Sequence, residues 1–264
     1  MPILIQFLLR ASFGLAVAMA ITPPRKVTSG FYRNHLYVIL GMCVLAGLAG
    51  LGLPDGERTF LPLLAAGLSY AGAVAWLYEK RRAGIALLAA VAAAALVGDW
   101  QVGPPTREAR ITAREPVEHA ASGAASPVAT ALRIADAPTC GLLLGSVLGA
   151  MFLGHWYLNT PTMELAPLRR LLGLVAVATV ARAAVCGLGL AIEIQHSAAP
   201  PIAFLMLRWL AGLAGVGATA WMAWQTLKIP NTQSATGILY VAVIGVFIGE
   251  LTSQLLSAHA MFPL

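Results

Sequence analysis

The sequence predicts an all-α, polytopic membrane bundle of eight helices, on three observations. Hydrophobic residues make up 59% of the 264-residue chain and charged residues only 11%, against about 25% charged in a soluble domain. The apolar residues gather into segments of roughly 20, the length that crosses a hydrocarbon core as a helix. The connections alternate in charge, the pattern of loops sorted to two sides of a membrane. The positive balance, 17 Lys+Arg against 11 Asp+Glu, lies mostly in short connections, so it reads as a topology signal. Nucleic-acid binding is not expected.

The first segment, about residues 2–22, lacks the basic start of a secretory signal and reads as a retained helix. The following segments lie at about 34–53, 60–78, 83–100, 138–158, 168–190, 200–224 and 236–258. Arg25, Lys26 and Arg33 separate the first pair, and Lys80, Arg81 and Arg82 the third and fourth. Arg169 and Arg170, with Glu164, fall at the connection between the fifth and sixth segments, and Lys228 between the seventh and eighth. The intervening connections carry Asp55, Glu57 and Arg58, or Glu193 alone. The positive-inside rule therefore predicts basic loops in the cytoplasm and both termini outside, on the periplasmic side.

One connection is long. It divides the chain into helices 1–4 (residues 1–100), an external loop (101–137) and helices 5–8 (138–264). Within the loop, Thr130–Ala137 has the composition of a short surface helix. No clear repeat relates the two halves, so an inverted-repeat transporter lacks its usual pointer. Gly141, Gly145 and Gly149 share one face of helix 5, and Gly212 and Gly215 play a similar part in helix 7. Small residues at that spacing admit a neighbouring backbone.

Charges inside the segments point to a site. The last segment carries Glu250, with Ser253, Gln254 and Ser257 on the same helical face. With a 1.5 Å rise per residue, Arg10, Arg182, Arg208 and Glu250 all fall roughly 10–12 Å below the outer boundary of the core. Each would cost at least about 2.5–3.5 kcal/mol if left in lipid, so a shared polar cavity is expected. Two readings stay open: an ion-pair cluster that fixes packing, or a site for a ligand with polar head and apolar tail, such as a quinone. One acid among three bases leaves a positive excess that an anionic or polar ligand, or water, would offset. In the second reading Glu250 is the catalytic proton acceptor, while Arg10, Arg182, Arg208, Ser253 and Gln254 bind the quinone.

Histidines at two depths would suit two haems, with His35 and His155 as inner ligands and His196 and His259 as outer ones. Their helix-end positions favour interfacial anchoring instead, so no haem is expected. Cys43, Cys140 and Cys186 form no C-x-x-C pair and read as small buried hydrophobes, with no metal site expected.

The Gly249-Glu250-Leu251 step late in an eighth helix, with both termini outside, resembles the membrane-anchor subunits of dimethyl-sulfoxide-reductase-type and polysulfide-reductase-type complexes. The likeness covers the topology and the last 25 or so residues. Where the dimethyl-sulfoxide type continues to an arginine, this chain has Thr252-Ser253-Gln254. The resemblance implies a haem-free, quinone-reactive subunit of a respiratory oxidoreductase in a bacterial-type inner membrane. Its partner would be an external iron–sulfur or cytochrome subunit. A small-anion transporter or channel, and a purely structural anchor or assembly subunit, are the alternatives.

Overall fold

The computed structural model describes residues 1–52, 59–103, 127–160, 162–196, 200–229, 231–258, 260 and 262–264. The described residues are helical, with no strand among them. The eight helices are α1 (Pro2–Ile21), α2 (Ser29–Gly50), α3 (Phe60–Leu77), α4 (Arg81–Val102), α5 (Pro127–Asn159), α6 (Ala166–His196), α7 (Ile202–Thr226) and α8 (Thr232–Ser257). Each contains a window long and apolar enough to cross a membrane, as the segment lengths predict. The chain is accordingly a multi-pass membrane protein.

Local chemistry sets several boundaries. Pro2 opens α1 at a position where the missing N–H would be unpaired anyway. Glu79 reverses the chain between α3 and α4 with φ of 55°, and Lys80 N–H donates to the Ala75 carbonyl at 2.9 Å. Asn231 caps α8, its side-chain oxygen accepting from Ser234 N–H at 2.9 Å. Asn231→Ala is expected to lower stability by about 1 kcal/mol, read as a small fall in melting temperature in detergent.

α5 begins earlier than the sequence predicts. Residues 127–137 belong to its first turns and not to an external loop, and Pro138 lies inside the helix. The helix continues through that proline, which removes the N–H that would have bonded the Ile134 carbonyl. The Thr139 hydroxyl donates to the Ala135 carbonyl at 2.7 Å and to that of Asp136 at 3.2 Å. Ala129, Leu132 and Ala137 are buried while Val128 and Ile134 stay exposed, so this stretch is helical with one face packed and is continuous with α5. The middle of the long connection, and Asp55, Glu57 and Arg58 of the second, lie outside the described residues.

Packing runs through two rings. α1, α2, α3 and α4 touch in sequence and α4 returns to α1, while α5, α6, α7 and α8 close in the same way. The rings meet along α1 and α5, the two most enclosed helices. Glycines make that crossing possible: a Cβ at Gly14 would lie 1.6 Å from the Gly141 oxygen, and one at Gly145 1.8 Å from the Gly14 carbonyl carbon. Gly149 sits further along the same face, where a Cβ would come 3.0 Å from the Ala18 side chain.

The starts of α1 and α5 and the ends of α4, α6 and α8 share one face, here called the terminal face. The other face is aromatic. Tyr32 stacks on Trp76 at 3.9 Å, and Trp156 donates to the Thr28 hydroxyl at 2.9 Å. His35 bonds the Phe31 carbonyl at 2.6 Å and packs against Phe152 with centroids 4.6 Å apart. His155 contacts the Tyr240 hydroxyl at 3.2 Å.

Candidate functional site

Towards the terminal face, six charged side chains from six helices form one alternating chain: Asp99 (α4), Arg10 (α1), Asp136 (α5), Arg182 (α6), Glu250 (α8) and Arg208 (α7). Arg10 Nε donates to both Asp99 oxygens at 3.1 Å, and its Nη1 meets Asp136 Oδ2 at 2.8 Å. The other oxygen of Asp136 accepts from Arg182 Nη1 at 2.6 Å. Arg182 turns its Nε to Glu250 Oε2 at 3.0 Å and its Nη2 to the same carboxylate at 2.9 Å. Arg208 Nη1 closes the sequence on Glu250 Oε1 at 3.0 Å. Arg182, Arg208 and Glu250 have no solvent exposure.

Glu250 is thus buried between Arg182 and Arg208, as the sequence predicts, whereas Arg10 is not its neighbour. Asp136 stands between Arg10 and Arg182 and links the two rings. Two expectations are corrected. Glu250 is not the single deep carboxylate, since Asp99 is 2% exposed and Asp136 lies within α5. Nor is there a positive excess, because three guanidinium groups face three carboxylates. Asp99 carried a legible signal, a lone acid in the last turn of an apolar segment. Asp136 was hidden by Pro138, which ordinarily marks a helix boundary.

Ser253 and Gln254 are also buried beside Glu250, both about one turn further along the same face. Arg182 Nη2 donates to the Ser253 hydroxyl at 3.1 Å, and that hydroxyl donates to the Leu264 oxygen. Gln254 directs Nε2 at Cys140 Sγ, 4.0 Å away. Arg208 Nη2 donates to Cys186 Sγ at 3.3 Å. Arg208 Nε and Gln254 Oε1 have no partner among the described residues, and Arg208 Nη1 meets Glu250 as an ion pair without the alignment of a hydrogen bond. A buried donor or acceptor left without a partner costs about 1–3 kcal/mol.

The backbone around Glu250 is built for close approach. A Cβ at Gly249 would lie 2.2 Å from Gly212 Cα, so the glycine before the glutamate lets α7 and α8 touch. Around Gly212, Leu207–Gly215 is wound as a π-helix, a form that often accompanies functional positions. Residues 262–264 lie back against α6 and α8: Phe262 N–H donates to Glu193 Oε2 at 3.2 Å, and Leu264 N–H to the Ser257 hydroxyl at 3.0 Å.

Of the histidines considered as haem ligands, His35 and His155 have the protein partners described above. The side chain of His196, and His259 altogether, lie outside the described residues. No group of His, Cys, Asp and Glu among the described residues is arranged to hold a metal ion. Fold and site together define a multi-pass helical membrane protein with an alternating ion chain crossing its interior. No family model, curated protein or solved structure matches this chain.

Proposed function

We propose that this chain is a quinone-reactive membrane subunit of a respiratory oxidoreductase, with Glu250 exchanging the substrate proton. The observation that carries this reading is the pair of unpartnered polar atoms, Arg208 Nε and Gln254 Oε1, in the residues flanking a wholly buried carboxylate. A quinone offers what they lack, a carbonyl oxygen to accept from Arg208 and, once reduced, a hydroxyl to donate to Gln254. Arg182 and Ser253 would hold Glu250 in place, while Arg10 acts at one remove through Asp136. In this reading both termini are periplasmic, the membrane is a bacterial-type inner membrane, and an external iron–sulfur or cytochrome subunit supplies or accepts electrons.

The equal number of acids and bases favours a second reading, a structural anchor in which the ion chain only fixes helix packing. With the positive excess gone, a small-anion transporter loses its main support. Glu250→Gln in the assembled membrane complex separates the first two. The quinone reading expects at least tenfold lower quinol turnover, consistent with the 10²–10⁴-fold typical of a lost acid–base group, with assembly intact. Undiminished turnover in an assembled complex would sink it.

A further inference from the structure

We infer that the six-charge chain acts as a single electrostatic relay, so that Asp99 and Arg10 in the first ring set how tightly Arg182 holds Glu250 in the second. The geometry supplies the coupling at Asp136. Its two oxygens are divided between Arg10 at 2.8 Å and Arg182 at 2.6 Å. Arg10 is divided in turn between Asp99 and Asp136, and Arg182 between Asp136 and Glu250. Each internal member therefore competes for two partners. Screening by water is limited, because Arg10, Asp99, Arg182 and Glu250 are buried and the Asp136 side chain is only 17% exposed.

The competition has a definite sign. Neutralising Asp99 releases Arg10 onto Asp136; Asp136 then relaxes its hold on Arg182, and Arg182 closes on Glu250. Weakening Arg10 at constant charge does the reverse. Asp136 turns to Arg182 and draws it away from Glu250. Asp99 and Arg10 are thus positioning residues for Glu250, Arg10 acting through Asp136 and Arg182 and Asp99 through Arg10 and that same pair. The relay holds whether or not the site takes a quinone, since it concerns the resting ion pairs.

Solid-state NMR of the full chain in bilayers, with carboxyl-labelled glutamate, reads the relay directly. The Glu250 resonance is assigned by its loss in Glu250→Gln. Asp99→Asn and Asp136→Asn are expected to displace it in one direction, with the larger displacement for Asp136→Asn. Arg10→Lys keeps the charge but replaces a planar fork with a point donor, and is expected to displace the resonance the opposite way. A general loosening of the bundle has no reason to reverse sign between these variants. An unmoved resonance, or displacements all of one sign, overturns the relay. If Asp99→Asn fails to accumulate, Asp136→Asn against Arg10→Lys carries the same sign test.

Discussion

Replacing Arg182 by methionine is expected to destabilise the protein by about 3–5 kcal/mol, the cost of leaving buried charges unpaired. Arg182 joins Asp136 to Glu250 and also donates to Ser253. Its loss leaves Arg10 facing two carboxylates and Arg208 facing one. Arg182→Lys should fall between the two, because an ammonium cannot match a fork that serves several acceptors. The informative variant is Arg182→Met with Asp136→Asn. That pair removes one charge of each sign and leaves two complete ion pairs, Asp99 with Arg10 and Glu250 with Arg208. It is expected to melt higher than Arg182→Met alone, a non-additivity that marks members of one network. Thermal melting in detergent, followed by recovery of the monodisperse species, measures both effects. A single variant as stable as the parent would show that the chain of ion pairs carries no stability.

The second large effect is steric. Gly145→Ala is expected to cost about 3 kcal/mol or more, at or above the top of the usual range for overpacking. Its new carbon would lie 1.8 Å from the Gly14 carbonyl carbon and 2.0 Å from Leu15 N. Those are backbone atoms of the facing helix and have no rotamer to retreat into, so α1 and α5 must separate. Since α1 carries Arg10 and α5 carries Asp136, the separation also stretches the contact that joins the two rings. Gly173→Ala and Gly237→Ala are the matched controls, with nothing within 4 Å of the added carbon. They are expected to be neutral or slightly stabilising, as removing a glycine from a helix usually is. Similar melting temperatures for Gly145→Ala and these controls would show that the tight crossing is not needed.

Much of this architecture was open to reading because bilayer physics leaves few options. Apolar runs of spanning length must become helices, since no other open segment satisfies its backbone in lipid. The glycine stripe on helix 5 announced a close crossing, and Gly14 of α1 fills it. The intramembrane charges Arg10, Arg182, Arg208 and Glu250 announced that some helix faces must meet away from lipid. Which charge answers which was another matter. Spacing along a helix gives depth and face, but partners on other helices depend on which helices become neighbours. Residue counting puts Arg10 at about the depth of Glu250, yet it pairs with Asp99 and Asp136.

The sequence by itself determined that eight helices form, and that Glu250 and three arginines must find partners away from lipid. Tertiary structure alone decided the rest. It carried α5 through Pro138, with Ala129, Leu132 and Ala137 of the added turns buried against the bundle. It brought Asp136 between two arginines, because glycines let α1 and α5 touch. It turned an apparent excess of positive charge into a balanced chain. The physical reason is that a buried charge is stabilised by contacts a few ångströms away in space, and those contacts are fixed by helix packing, not by position along the chain.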